Sequence, residues 1–208
     1  MTDEALIVMA RAPEPGRVKT RLIPDLGAEG ACRVHDRLLE HTLITVAAGT
    51  RPVWMYLTGD PEPVRRRTAD RGIHLARQSA GDLGQRMAAA LADVHGRGFS
   101  RVVLVGSDCP VLDRAYLEAA FAGLRDADFV LGPAEDGGYV LLGSARARLW
   151  SGSPFSGVRF GGPEAGADTV EALAAHGRVM RLEPRWDVDE AADWERARRL
   201  PAFRSGSV

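Results

Sequence analysis

The chain has 208 residues, 27 Lys+Arg against 28 Asp+Glu, and 45% hydrophobic residues, which suits one compact domain with a sizeable core. A net charge of −1 gives no overall attraction to nucleic acid or to anionic membranes, so neither is expected as a partner. Two cysteines without metal-type spacing, an acidic N-terminus and the lack of any run near the roughly 20 apolar residues of a membrane span lead to the expectation of a cytoplasmic protein.

In chain order, residues 5–10 (ALIVMA) form a continuous apolar run, the pattern of a strand buried on both faces. A loop with Arg11, Arg17, Lys19 and Arg21 follows, and then residues 28–49 with helical periodicity through Val34, Leu38, His41 or Thr42 and Thr45, ending at Gly49. Residues 52–58 read as a strand, 61–72 as a short helix and 73–78 as a third strand. A helix follows with Asp82 near its start and Gly96 at its end. Residues 101–110 hold a second buried strand stopped by Pro110, then a helix from Asp113 and a strand over 128–134. From Trp150 to Gly166 the Gly, Ser and Pro content predicts an irregular loop or lid. A helix, a strand and a last helix close the domain at about residue 200, and residues 201–208 are expected to be a flexible tail. The alternation of strand and helix argues for a doubly wound α/β sheet.

In such sheets ligands lie beyond the carboxyl ends of the strands, so the loops after residues 10, 106 and 133 should share one rim. The first is neither a P-loop nor a dinucleotide fingerprint, because the glycines both require are missing. Its cations suit a polyphosphate; the alternative is a solvated loop that aids solubility. Asp108, just past a buried strand, has the place of a Mg²⁺ ligand, against the reading of a helix cap that Asp113 is better spaced to supply. Cys109 lacks a nearby base and reads as a small buried residue rather than a nucleophile.

Asp136 is placed to orient an acceptor hydroxyl or a metal-bound water. The N–H groups of Gly137 and Gly138 could cradle an anion, and Asp-Gly is also a hairpin-turn signal; both readings can hold together. Asp187 and Asp189 lie in one extended segment, where only one of them is expected to face a metal, with Asp189 or its neighbour expected to cap the final helix. Gln78, Gly81, Gly84 and Arg86 could read a nucleobase edge or bind phosphate, against a plain helix start. The five histidines form no pair and are taken as surface or core-edge residues.

The segments PEPGRVKTRL, GDLGQRM, GSDCP, GPAEDGGYVLLG and WDVDEAADW, in this order, resemble a bacterial glycosyltransferase-like family with the glycosyltransferase A-type, or nucleotide-diphospho-sugar transferase, fold. More distantly they are similar to molybdenum-cofactor nucleotidyltransferases and 2-phospho-lactate guanylyltransferase. The match spans about residues 5 to 199; Leu149–Gly162 and the residues after Asp189 depart from the usual pattern. The resemblance implies a single Rossmann-like domain with a mixed, mostly parallel sheet flanked by helices. It implies that Lys19 and Arg21 bind nucleotide phosphates, with Arg11, Arg17, Gln78, Gly81 and Arg86 in the same nucleotide site. Asp108 would bind Mg²⁺ or Mn²⁺, Asp189 with Asp187 would complete the metal site, and Asp136, Gly137, Gly138 and Tyr139 would line the acceptor pocket. Lys19, Asp108 and Asp136 are the catalytic candidates. The expected reaction is nucleotidyl transfer from a nucleoside triphosphate to a phosphorylated small molecule, with sugar transfer from a nucleotide-sugar, or nucleotide binding without catalysis, as alternatives. A homodimer is the one protein partner considered.

Overall fold

A computed structural model describes residues 3–152 and 154–204. Strand β1 (Glu4–Arg11) is the hub of a seven-stranded sheet. It pairs in parallel with β2 (Val53–Thr58) on one side, in the register Leu6 to Val53, and with β4 (Arg101–Val105) on the other, Leu6 to Val103. Every residue of β1 except Arg11 is buried, as a strand covered on both faces requires. β3 (His74–Arg77) forms one edge beside β2. Beyond β4 comes β6 (Tyr139–Ser144), antiparallel to both β4 and β5 (Phe129–Pro133), and β7 (Val179–Arg181) pairs in parallel with β5 at the other edge. The order is β3-β2-β1-β4-β6-β5-β7, a mixed sheet in which β6 alone is reversed. Reversing β6 sends β5 in the direction of β4, so the chain leaves β1, β4 and β5 on the same rim, as the sequence leads one to expect.

Alternation along the strands separates two cores. Leu6, Val8, Val103 and Val105 pack on one face with Leu39 and Leu43 of α1 (Ile23–Ala47) and Phe121 of α4 (Arg114–Asp126). Ala5, Ile7, Val102 and Leu104 pack on the other with Met87 and Leu91 of α3 (Leu83–Gly96), Trp150 and Phe155. The helix starts follow the sequence: Asp82 accepts from Gln85 N–H at 2.8 Å while the Gln85 side chain accepts from Asp82 N–H at 3.0 Å, and Asp113 accepts from Tyr116 N–H at 2.7 Å. α1 begins five residues earlier than expected because Pro24 fits its first turn, and Gly27, at φ 69°, kinks it. It ends at Ala47, capped by Ala48 rather than Gly49. α2 (Glu62–Asp70), α5 (Ala165–Ala174) and α6 (Ala191–Ala197) complete the layers. No helix among the described residues is long and apolar enough to cross a membrane.

A third cluster joins the start of the chain to its end: Leu22, Val34 and Leu38 pack against Trp186, Val188, Trp194 and Phe203. Of the segment expected to be a loose tail, Pro201–Phe203 forms a 3-10 turn, and Arg37 donates to the Phe203 carbonyl at 2.7 Å. Residues 205–208 lie outside the described residues. Phe203→Ala should cost about 3 kcal/mol of unfolding free energy in urea melts, the loss for a fully buried aromatic; an unchanged midpoint would show that this turn is not part of the core.

Candidate active-site cleft

A cleft of about 750 Å³ opens along the rim where the loops after β1, β4 and β5 meet. The loop after β1 is anchored at a few buried residues while much of it stays exposed. Ala12 and Val18 are buried, Glu14 accepts from Asp60 N–H at 3.1 Å, and Leu22 plugs the third core cluster. Lys19 stands on that frame at φ 45°, ψ 46°, the single non-glycine residue with positive φ among those described. Such a conformation costs of order 1 kcal/mol or more and persists where the surroundings over-determine it, as they do at functional sites.

The side chain shows what that geometry serves. Lys19 Nζ lies 3.0 Å from Asp108 Oδ2 and 3.2 Å from Asp189 Oδ1, with only 6% of the side chain exposed. Burial opposes its charge, but Asp108 and then Asp189 outweigh burial and hold the ammonium above its ordinary pKa. Arg21 reaches the other oxygen of Asp189 at 3.0 Å. A compositional signal points here too: of 27 Lys+Arg in the chain, Lys19 is the only lysine. An ammonium is a compact charge that fits between two carboxylates, a place the planar arginine fork fills poorly.

The two acids of the last loop both line the cleft, which corrects the expectation that only one would. In an extended segment residues i and i+2 share a side. Val188 between them is fully buried and donates its N–H to the Asp108 carbonyl at 3.0 Å, so Asp187 and Asp189 both face the other way. Neither caps α6. Their neighbour Glu190 is the N-cap residue, and Asp193 accepts from Glu190 N–H at 2.8 Å and Asp189 N–H at 3.1 Å. Burial, followed by the charges of Asp136 and Asp189, pushes Asp187 up to about 6.

Gly106, Ser107, Asp136, Gly138, Tyr139 and Arg86 also line the cleft, as do Arg11 and Arg17. Arg17 is largely exposed and paired with Glu14 at 3.1 Å. Gln78 lines it as well, but its amide nitrogen is spent on the Ala10 and Tyr56 carbonyls at 2.8 and 3.0 Å, tying the ends of β1 and β2. Gly81 and Gly137 are not among the lining residues. Gly81, at φ 113°, makes the turn into α3, where Arg86 Nε donates to its carbonyl at 2.8 Å. Gly137, at φ 91°, leaves room for Pro163, whose carbonyl would lie 2.1 Å from an added Cβ. Of the two readings of Gly137 and Gly138, the hairpin turn is formed and uses both N–H groups: Gly137 donates to Ala134 O at 3.2 Å and Gly138 to Asp136 Oδ1 at 2.9 Å. Cys109 is buried and its thiol is pushed up to about 12 by that burial, as an inert residue should be.

His35 and Phe160 are among the lining residues that the sequence does not single out. His35, buried on α1, holds the Arg11 carbonyl with Nε2 at 3.0 Å and brings Nδ1 to 3.8 Å from Asp108 Oδ1. Phe160 comes from the irregular segment before α5 and rests on Gly84, where an added Cβ would sit 2.8 Å from its ring. With Leu83, Met87 and Tyr139 it makes one end of the cleft apolar, while Lys19, Arg21 and the acids make the other end polar.

Among the described residues, no three His, Cys, Asp or Glu side chains stand together as a finished metal cage. The donors present are nevertheless carboxylate oxygens, the ligands of Mg²⁺ and Mn²⁺, and Mg²⁺ usually takes only one or two of them beside water and substrate phosphates. Asp136 and Asp189 add to the burial that raises Asp187, so several carboxylates share this spot.

A family model described as an uncharacterized protein conserved in bacteria (DUF2064) matches residues 42–162. Curated proteins give no match. Among solved structures, a Desulfovibrio desulfuricans G20 protein provisionally named a nucleotide-diphospho-sugar transferase is 30% identical, with a TM-score of 0.86 over 100% of this chain and 92% of that one. A cytidylyltransferase of Leptospira borgpetersenii serovar Hardjo-bovis is 16% identical with a TM-score of 0.62, over 98% and 90% of the two chains. A Mycobacterium tuberculosis H37Rv protein solved with manganese is 21% identical with a TM-score of 0.58, over 94% and 98%. The last two share the fold.

The raised Asp187 has a consequence for stability. A carboxyl whose pKa rises on folding, from 3.8 to about 6, favours the folded chain below the lower value, and that benefit is lost as pH rises through the upper one. Asp187→Asn should therefore raise the melting temperature at pH 7.5 and leave it nearly unchanged at pH 4. Equal effects at both pH values would contradict the burial of Asp187 among neighbouring carboxylates.

Proposed function

This chain belongs to the DUF2064 family of bacterial proteins and has the nucleotide-diphospho-sugar transferase fold, and on that premise we propose that its cleft carries out divalent-metal-dependent nucleotidyl transfer. One observation carries the proposal: an anchored basic loop and a set of carboxylates face each other across one strand-end cleft, joined at Lys19. Phosphoryl chemistry asks for little more than positioning and charge neutralisation, and this is the equipment for both.

In the reaction, an oxygen of the acceptor's phosphate attacks the α-phosphorus of a nucleoside triphosphate. The bond from that phosphorus to the oxygen bridging to the β-phosphate breaks, and pyrophosphate leaves with the electron pair. Lys19 and Arg21 hold the β- and γ-phosphates and take up the charge that grows on the leaving group. Asp108 and Asp189, with Asp187, would supply the oxygens for a Mg²⁺ or Mn²⁺ ion, which when bound would neutralise phosphate charge. The Mycobacterium tuberculosis neighbour solved with manganese, and the cytidylyltransferase neighbour, fit this reading. The apolar end formed by Leu83, Met87, Tyr139 and Phe160 suits the body of a base or acceptor, and Arg86 borders it.

The exposed Asp136 supports a second reading. A carboxylate across the cleft from the phosphate loop could take the proton of an acceptor hydroxyl, as sugar transfer from a nucleotide-sugar would need. The Desulfovibrio neighbour's provisional name points the same way. The single acid at the end of β4, in Ser107-Asp108-Cys109-Pro110, favours nucleotidyl transfer, since sugar transferases of this fold usually present two acids there.

Thermal shift with Mg²⁺ against the four nucleoside triphosphates and common nucleotide-sugars separates the two. A triphosphate should stabilise the protein, and phosphorylated acceptors should then release pyrophosphate. Stabilisation by nucleotide-sugars alone would reject nucleotidyl transfer. Asp108→Asn should lower turnover about a hundredfold or more with the fold intact; full activity in that variant would remove Asp108 from the site.

A further inference from the structure

The oxygens that a divalent cation would use are already held by this chain's own ammonium group. Lys19 Nζ lies within 3.2 Å of Asp108 Oδ2 and Asp189 Oδ1, and it is the one lysine in a chain whose other basic side chains are all arginine. On the nucleotidyl-transfer reading the same ammonium also grips phosphate. It cannot remain centred between the two acids, share them with a second cation and bind phosphate as well, because like charges at such distances repel strongly.

We propose that Lys19 is a resident counter-ion of the metal site: it holds Asp108 and Asp189 together in the free protein and leaves them for substrate phosphate when metal and nucleotide enter together. The proposal rests on the nucleotidyl-transfer reading for the phosphate half, while the competition between Lys19 and metal stands on the geometry alone. Several features of the site agree with it. The two acids alone would repel one another, and Lys19 Nζ, at 3.0 Å and 3.2 Å from them, offsets that repulsion. Lys19 has a left-handed backbone, between the buried anchors Val18 and Leu22, while its long stem can swing. Arg21 lies 3.0 Å from the other oxygen of Asp189, so in the free protein two cations rather than a metal neutralise that carboxylate.

Two consequences follow for binding. Metal alone binds weakly, since it must displace a well-paired ammonium. Phosphate gives Lys19 another partner, so metal and nucleotide strengthen each other by the same factor.

The test uses Mn²⁺ alone, followed by electron paramagnetic resonance and by its effect on melting temperature, with no nucleotide present. Lys19→Met removes the charge and keeps the stem; it should bind Mn²⁺ about tenfold tighter or more than the wild type. Lys19→Arg, which keeps the charge, should not tighten binding. General damage to the fold would weaken Mn²⁺ binding, so tighter binding in Lys19→Met alone identifies the competition. Equal or weaker binding in a folded Lys19→Met would overturn the proposal. Should that variant fail to fold, the wild type still decides: its single lysine gives one side-chain ammonium resonance in ¹⁵N spectra, which should shift as Mg²⁺ fills the site. A resonance unmoved at Mg²⁺ concentrations that shift the Asp108 and Asp189 signals would overturn it equally. Failure of nucleotidyl transfer in the turnover assay leaves these Mn²⁺ results standing, so the two ideas fail separately.

Discussion

The contact of Lys19 with Asp108 and Asp189 ties together three parts of the chain that are far apart in sequence. Lys19 comes from the loop after β1, Asp108 from the end of β4, and Asp189 from the segment after β7. A buried ammonium without partners would carry a large desolvation cost, and the carboxylates without a cation would repel one another. Each therefore needs the others, and the loops that bear them are fixed accordingly.

The sheet makes this meeting possible. β1 and β4 are neighbours and parallel, so their carboxyl ends are side by side. The reversed β6 turns β5 back to the same direction, and the 182–189 segment then runs along the β5–β6 hairpin, with Arg185 N–H bonding Pro133 O at 2.9 Å and Glu135 N–H bonding Arg185 O at 2.9 Å. The third core cluster, built from Leu22, Trp186, Val188 and Trp194, clamps the basic loop to the acidic segment from beneath. Packing and site geometry are one arrangement here: Val188 is buried in the core, which turns its two flanking aspartates toward the cleft.

Much of this was legible in the sequence because it is local. Apolar runs marked β1 and β4, Asp82 and Asp113 marked helix starts, and the end of a buried strand marked Asp108. What was not legible depends on contacts between distant segments. Whether Asp187 and Asp189 share a face follows from the burial of Val188 and from the two-residue period of extended chain, and the sequence reading assigned the faces wrongly. His35 reaches the cleft through the placement of α1 across the sheet, which no spacing of histidines reports. Gly137 and Gly138 could be read as an anion cradle or a hairpin turn, and the hairpin's own hydrogen bonds use their N–H groups. The lone lysine among 27 basic residues was in plain view and carried more information than the loop's total charge.

A crystal structure of the protein with Mn²⁺ and a nucleoside triphosphate that stabilises it tests the central claim most directly. The account predicts anomalous density for manganese bound to Asp108 and Asp189, with Lys19 Nζ moved onto a phosphate oxygen. Manganese bound elsewhere, or Lys19 still bridging the two carboxylates beside a bound metal and nucleotide, would contradict it.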